Sequence, residues 1–353
     1  MLKDLCFEII QTCPNNCLFC SSCSSITKTK IIDLYTFKKT IDHFIKIGGI
    51  EEISISGGEP MLHPNIFDIL KYTKDKNIRT VLFTSGIKYK TKISDEDLNN
   101  INNYLNKKYT GYIKEGMEVE QAKKLMEKER KIILEENTKF SSLTKEDCIN
   151  FKKLGLDKIV FDFQALNENV YNEIMGTQDY LTYVIKSIIM CSSEGLNIDI
   201  HFIPTKINYK ELPDIIEVLN IAEVNNLSIL NFVPQGRGYE NKDELLLDEE
   251  KMKEFIKIYN ECKDKFNGNI RIGIPLIKND THLCTAGYDK LVIKYDGTVL
   301  PCPAFKEYPI EILNELGINT PNIKTDLDSV KITTGTREKP LCKELYKMTN
   351  YIK

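Results

Sequence analysis

Three cysteines lie close together near the start of the chain, in Cys13-Pro14-Asn15-Asn16-Cys17-Leu18-Phe19-Cys20. Thiolates are the ordinary ligands of iron–sulfur clusters, so three on one short segment can hold three irons of a [4Fe–4S] cluster. The remaining iron then stays open to a substrate. Zinc favours four closed ligands, commonly in paired sets, and no partner pair follows this segment. The chain has eleven cysteines, an odd number, and MLKDLCFEII at its start lacks the apolar run of a secretory signal, so a disulfide framework does not fit. Cys23 lies beyond the segment and reads as a bystander. Cys6, Cys148 and Cys191 sit within apolar patterns and read as small core residues. Cys262, Cys284, Cys302 and Cys342 come late.

A second segment with chemical content is Ile53-Ser54-Ile55-Ser56-Gly57-Gly58-Glu59-Pro60, a strand pattern running into a Gly-Gly turn. Glycine lets a backbone approach a ligand where a Cβ would clash, and proline stiffens the exit. Both segments need strands to position them. The runs 5–10, 51–56, 79–84, 158–163, 197–203 and 227–233 are nearly continuous and apolar, as parallel strands buried on both faces are. Helical patterns alternate with them. The expected fold class is therefore α/β: a partial (β/α)6 TIM-like barrel, with its ligand site at the C-terminal ends of the strands. The connection between Thr84 and Lys158 is too long for one helix, and its surplus, about 91–140, is charged and helical. Ser94 with Asp97 resembles a capping box, and Val119, Ala122, Met126 and Ile133 form one stripe. A hairpin packed on the barrel is the reading adopted; a lid or partner-docking element is the alternative.

Composition is that of an ordinary globular protein. Apolar residues make up 42% and the net charge is −3, which gives no electrostatic basis for general nucleic-acid binding. No run is long enough for a membrane span, so a cytoplasmic location is expected.

With these motifs in hand, the chain resembles the radical SAM superfamily over residues 1 to about 235. The family's CxxxCxΦC motif is matched by Cys13, Cys17 and Cys20, with Phe19 as the aromatic. The resemblance implies that the open iron chelates S-adenosylmethionine (SAM). An electron passed through the cluster then breaks the sulfonium bond and gives a 5′-deoxyadenosyl radical that abstracts a substrate hydrogen. It also implies that Gly57, Gly58 and Glu59 contact the methionyl amino group, with Glu59 as acceptor. Ser85, in Thr84-Ser85-Gly86, falls where relatives contact ribose or carboxylate. Phe161-Asp162-Phe163-Gln164 aligns with a family stretch written S-L-D, so Asp162 and Gln164 replace its serine and aspartate. His201 reads as a core histidine and Asn208 as a helix cap. Gln235 and Arg237 read either as substrate-facing or as part of a surface turn.

Past Gly238 a charged helix, 248–266, leads to RIGIPL and to LVIKYDGTVLPC, whose Asp296-Gly297 marks a hairpin. Cys284-Thr285-Ala286-Gly287 followed by Asp296-Gly297-Thr298-Val299-Leu300-Pro301-Cys302 resembles the auxiliary-cluster domains called SPASM and twitch. The resemblance implies a second [4Fe–4S] cluster on Cys284, Cys302 and Cys342. Cys262 or His282 would complete the set, or one iron is open. The expected organisation is a barrel over 1–238 and a small α+β cluster-binding domain over 239–353.

The function expected is reductive cleavage of SAM, followed by oxidation or crosslinking of a small molecule or peptide with the auxiliary cluster as electron acceptor. Flavodoxin or ferredoxin would supply electrons. Because the barrel begins almost at residue 1, no N-terminal peptide-recognition domain is expected. Radical methylation or a cofactor-biosynthetic rearrangement is the alternative enzyme reading. A non-catalytic iron–sulfur regulatory module is the alternative outside enzymes.

Overall fold

The computed structural model describes residues 1–90, 95–137, 140–273, 284–307, 310–315, 317–332 and 335. Eight strands precede residue 231: β1 (Asp4–Glu8), β2 (Glu52–Ser56), β3 (Arg79–Thr84), the short β4 (Ile87–Tyr89) and β5 (Phe140–Ser142), β6 (Lys158–Asp162), β7 (Ile198–Phe202) and β8 (Asn226–Leu230). Six of them pair in the order β1-β2-β3-β6-β7-β8, every pair parallel, with Leu5 beside Ile53, Leu82 beside Ile159 and Ile200 beside Leu227. These are the six strands expected from the apolar runs.

Helices α1 (Leu34–Ile47) and α2 (Ile66–Asp75) follow β1 and β2. Asp33 caps α1 by accepting from the Thr36 N–H at 2.8 Å, and Gly48 ends it. The apolar face of α1 buries Phe37, Ile41 and Phe44, with the Phe37 ring 5.1 Å from that of Phe7 on β1. Burial of each such side chain contributes about 1.5–3 kcal/mol. Alternation along β1 thus sends Leu5 and Phe7 to the helix layer and Cys6 and Glu8 to the barrel interior.

The surplus connection forms its own compact unit, Ile87–Ser142. It holds the antiparallel helices α3 (Asp95–Lys114) and α4 (Val119–Asn137), closed at the base by β4 and β5, where the Tyr89 and Phe140 rings stack at 5.6 Å. Of the stripe read on α4, Ala122 is buried and Met126 partly so, whereas Val119 is 52% exposed. Ser94 lies outside the described residues, as does the side chain of Ile133.

The other unit comprises Met1–Gly86 with Leu143–Lys353. It continues through α5 (Lys145–Lys153), α6 (Glu168–Met175), α7 (Leu181–Ser193), α8 (Leu212–Ile221), the single turns α9 (Arg237–Glu240) and α10 (Lys242–Leu245), and α11 (Glu249–Cys262). Thereafter the described C-terminal strands join the main sheet. The strand β9 (Asn269–Gly273) adds parallel to β8, and the hairpin of β10 (Lys290–Ile293) and β11 (Val299–Leu300) adds to β1, making a nine-stranded sheet. An unclosed six-stranded sheet has two bare edges, and the C-terminal strands cover both. Residues on both sides of Gly238 belong to this one compact unit. The hairpin turn itself is as read: Gly297 has φ +95°, and Asp296 accepts from the Thr298 N–H at 3.0 Å.

Candidate cluster and cofactor site

The loop after β1 carries all three early cysteines to the C-terminal mouth of the sheet, where it is held by backbone contacts from several elements. The Gly58 N–H donates to the Ile10 carbonyl at 2.5 Å and the Glu59 N–H to the Thr12 carbonyl at 2.8 Å. A Cβ on Gly58 would stand 2.2 Å from the Thr12 oxygen, and one on Gly57 would stand 2.3 Å from that of Ile10. The glycine pair thus serves the approach of two backbones, not only of a ligand. From the C-terminal end of α6, the Ile174 and Met175 carbonyls accept from the Leu18 N–H at 2.9 Å and the Asn16 N–H at 3.0 Å.

Arg237 completes the hold. Its Nε donates to the Cys17 carbonyl at 2.9 Å and its guanidinium NH2 to the Ser24 carbonyl at 2.6 Å. Asn241 adds a bond to the Leu18 carbonyl at 3.1 Å. Gly236 lets the chain pass close, since a Cβ there would meet the Cys20 oxygen at 2.8 Å. Arg237 is thus a clamp on the cysteine loop, and Gln235 accepts from the Lys306 N–H at 3.0 Å. The fork geometry of guanidinium suits this double grip.

Cys13 is buried; Cys17, Phe19 and Cys20 are partly so. Burial pushes the Cys13 thiol well up, and Cys17, Glu59 and Cys20 push it further. Cys17 is raised in the same way, by burial first and then by Cys20 and Asp162, with Arg237 opposing. The Ser24 N–H donates to the Cys20 sulfur at 3.4 Å. Thiols that resist ionisation at Cys13 and Cys17 suit a cationic group that takes them as thiolates. Among the described residues no three His, Cys, Asp or Glu side chains converge on a single metal ion. Three thiols on one loop are the number a [4Fe–4S] cluster takes from a protein when one iron stays open, whereas a structural zinc favours four ligands.

Buried polar atoms without partners also surround this loop. They include the Asn15 Oδ1 within it and the Tyr171 hydroxyl on α6. The phenol is fully buried and its pKa is raised, by burial first and then by Cys17, Asp162, Cys13 and Glu59. Such orphans await a polar ligand.

The side chain of Glu59 is wholly buried, and its acceptor capacity is used within the protein. Oε1 accepts from Thr84 Oγ1 at 2.6 Å and the Met61 N–H at 2.9 Å. Oε2 accepts from the Ser85 N–H and Ser85 Oγ, both at 2.6 Å. Burial raises its pKa, against the opposing effect of these four bonds. This geometry makes the carboxylate a tie between the Gly-Gly turn and the end of β3, with Ser85 pinned beside it. Gln164 is likewise committed: its amide donates to the His201 carbonyl at 3.0 Å and accepts from the Ile203 N–H at 2.9 Å. Asn208 bonds the Gln164 carbonyl at 2.9 Å and the Thr205 N–H at 2.7 Å, so it ties loops rather than capping a helix. Asp162 differs. It ends β6 partly buried, faces Cys17, and has its carboxyl pushed up to about 6 by burial, with the Lys306 ammonium opposing. His201 on the neighbouring strand faces the Phe83 ring at 5.4 Å and is held neutral, its pKa depressed to about 3 by burial, then by Arg271 and Lys158.

For the second site, Cys284 and Cys302 meet in one apolar cluster with Val292, Leu300, Phe305, Leu313 and Ile318. Cys342 and His282 lie outside the described residues. Cys262 ends α11 with its thiol 3.7 Å from the Tyr259 carbonyl and is not part of that cluster. Cys148 and Cys191 pack together at 3.6 Å as core residues.

Three residues that the sequence left unmarked also belong here. Glu8, Tyr171 and Lys306 reach the site from β1, α6 and the segment after Cys302, and nothing in their local patterns distinguishes them from ordinary helix or loop residues. Gly176 was the one legible hint, as a left-handed cap that ends α6 against the cysteine loop.

Comparison with known proteins agrees with this geometry. Residues 7–114 match the model of the radical SAM superfamily. The PqqA peptide cyclase of Bradyrhizobium diazoefficiens is 19% identical over 84% of this chain and 65% of that protein. The antilisterial bacteriocin subtilosin biosynthesis protein AlbA of Bacillus subtilis is 23% identical over 86% of this chain and 56% of that protein. The chain therefore spans somewhat under two thirds of the length of these curated relatives. Among solved structures, Streptococcus suis SuiB bound to S-adenosylmethionine superposes with a TM-score of 0.59, at 15% identity, over 92% of this chain and 64% of that one. SuiB has also been solved bound to its precursor peptide SuiA, with a TM-score of 0.58 at 16% identity, covering 99% of this chain and 65% of that one. The fold is thus the partial barrel of these neighbours. Among the described residues no helix is long and apolar enough to cross a membrane.

Proposed function

From the premise that the chain is a member of the radical SAM superfamily, we propose that it is an enzyme that binds a [4Fe–4S] cluster on Cys13, Cys17 and Cys20 and uses it to modify a peptide. The observation that carries this is the loop of three neighbouring cysteines clamped by Arg237, Gly58 and the end of α6 at the mouth of a parallel partial barrel. When bound, the cluster supplies the electron that cleaves SAM and so yields the radical that takes a substrate hydrogen. The protein's own residues position and enclose. Arg237, Gly58 and the end of α6 fix the loop. Glu59 holds Ser85 at the end of β3, where its hydroxyl keeps acceptor capacity for SAM. Tyr171 offers an unpaired phenol, and Phe19 lines the loop. Asp162 presents a carboxyl toward the lumen.

A peptide is favoured over a free small molecule because the relatives include a peptide cyclase, a bacteriocin biosynthesis protein and a neighbour solved with its precursor peptide. Cys284 and Cys302, which border one apolar cluster, would hold with Cys342 a second [4Fe–4S] cluster able to accept the substrate's electron; flavodoxin or ferredoxin would reduce the first. Two cubanes predict about eight irons per anaerobically reconstituted chain. Cys284→Ala should lower that count by about half and leave SAM cleavage uncoupled from product. A wild-type count near four that Cys284→Ala does not change would refute the second site.

A further inference from the structure

Glu8 ends β1 with 1% of its surface exposed. A carboxylate so placed loses several kcal/mol of hydration unless paired, on the order found for buried ions. Its Oε1 accepts from Ser22 Oγ at 2.5 Å and from Lys306 Nζ at 2.6 Å, while Oε2 has no partner. Lys306 arrives from the far end of the chain, just after Cys302, and each of its polar groups is tied. Its N–H donates to Gln235 Oε1 at 3.0 Å, its carbonyl accepts from Lys294 Nζ at 2.7 Å, and its ammonium also lies 3.4 Å from Ser22 Oγ. Ser22 is two residues past Cys20. Burial works against the Lys306 charge, yet Glu8, Cys6 and Cys20 together hold the ammonium above its ordinary value. A largely buried cation delivered by the C-terminal segment therefore stands behind the loop that carries Cys20, with the Lys294 ammonium tied to the Lys306 carbonyl and to Glu307.

We propose that the Lys306 ammonium, seated on Glu8, is the fixed charge that raises the reduction potential of the cluster on Cys13, Cys17 and Cys20, so that its reduction depends on the docked C-terminal segment. This rests on the cluster reading above. Reduction adds one negative charge to the cluster, and a nearby cation in a low-dielectric interior stabilises the reduced form. Glu8 offsets part of that field, so removing either partner must move the potential in opposite directions. A role confined to packing has no such sign rule.

The test is a redox titration of the reconstituted full chain, followed by electron paramagnetic resonance of the signal that changes when SAM is added. At the wild-type midpoint, K306M should lower the ratio of reduced to oxidised cluster about tenfold, which for one electron is about 59 mV. E8Q should shift it upward, and the E8Q/K306M double variant should fall between the two. The double variant also removes the unpaired buried carboxylate, so it keeps the test open should K306M lose its fold. An unchanged midpoint in K306M, or shifts of the same sign in both single variants, would overturn the proposal. Absence of any SAM-responsive signal in the wild-type chain would instead overturn the cluster reading itself.

Discussion

Changing Glu59 to Gln removes a charge but almost no volume, and its cost can be worked out bond by bond. Each carboxylate oxygen accepts from one hydroxyl and one backbone N–H: Thr84 Oγ1 and Met61 on one, Ser85 Oγ and Ser85 N–H on the other. A hydroxyl can turn to accept from the new amide, but a backbone N–H cannot. Whichever way the Gln amide faces, one buried backbone donor loses its acceptor, which costs about 1–3 kcal/mol. The bonds that remain lose their charge assistance, about 1 kcal/mol each. With three bonds remaining, the sum is a destabilisation of about 4–6 kcal/mol. Urea unfolding under anaerobic conditions, followed by circular dichroism, should show a lower midpoint with an unchanged slope. The expectation from sequence alone is different: a direct bond to the methionyl amino group, whose loss weakens SAM binding about ten- to a hundredfold. A SAM affinity reduced by that factor at unchanged stability would refute the structural reasoning and restore the direct contact.

Two further outcomes follow from the same geometry. His201 is held neutral with its pKa near 3, so the unfolded chain binds a proton that the folded chain refuses between about pH 6.5 and 3. Stability is complete above that window and falls as pH drops through it, by up to about 1.4 kcal/mol per unit before solvent screening. Acid titration of the unfolding midpoint should show this slope, and His201→Gln should flatten it; a slope untouched by the substitution would place the proton elsewhere. Arg237→Lys keeps the charge but loses the two-pronged grip on the Cys17 and Ser24 carbonyls, so cluster retention against a chelator should shorten severalfold while the fold survives. Equal retention in both proteins would remove Arg237 from the clamp.

The barrel was legible because its strands are short and apolar throughout, and a parallel strand buried on both faces can hardly look otherwise. Cys13, Cys17 and Cys20 stand out in the sequence because three thiols at that spacing share one short loop. A sequence does not show that Thr84 and Ser85 will bond Glu59, so the four bonds on its carboxylate come from the structure alone. The pairing of the C-terminal strands is not legible locally, because edge coverage is a property of the whole sheet: nothing in KLVI states that it will pair with DLCFE. Glu8 and Lys306 stand 298 positions apart and became partners only through that pairing. Arg237 was ambiguous for the same reason, as a surface turn and a clamp on a distant loop share one local pattern.

The central claim is that the early cysteine loop presents a cluster that cleaves SAM. The most direct measurement is 5′-deoxyadenosine formed from SAM and a strong reductant under anaerobic conditions, by the wild-type chain and by Cys17→Ala. The account predicts steady formation by the wild type and none above background by the variant, whose loop keeps two thiols and cannot present the open iron. Formation by Cys17→Ala at the wild-type rate would contradict it.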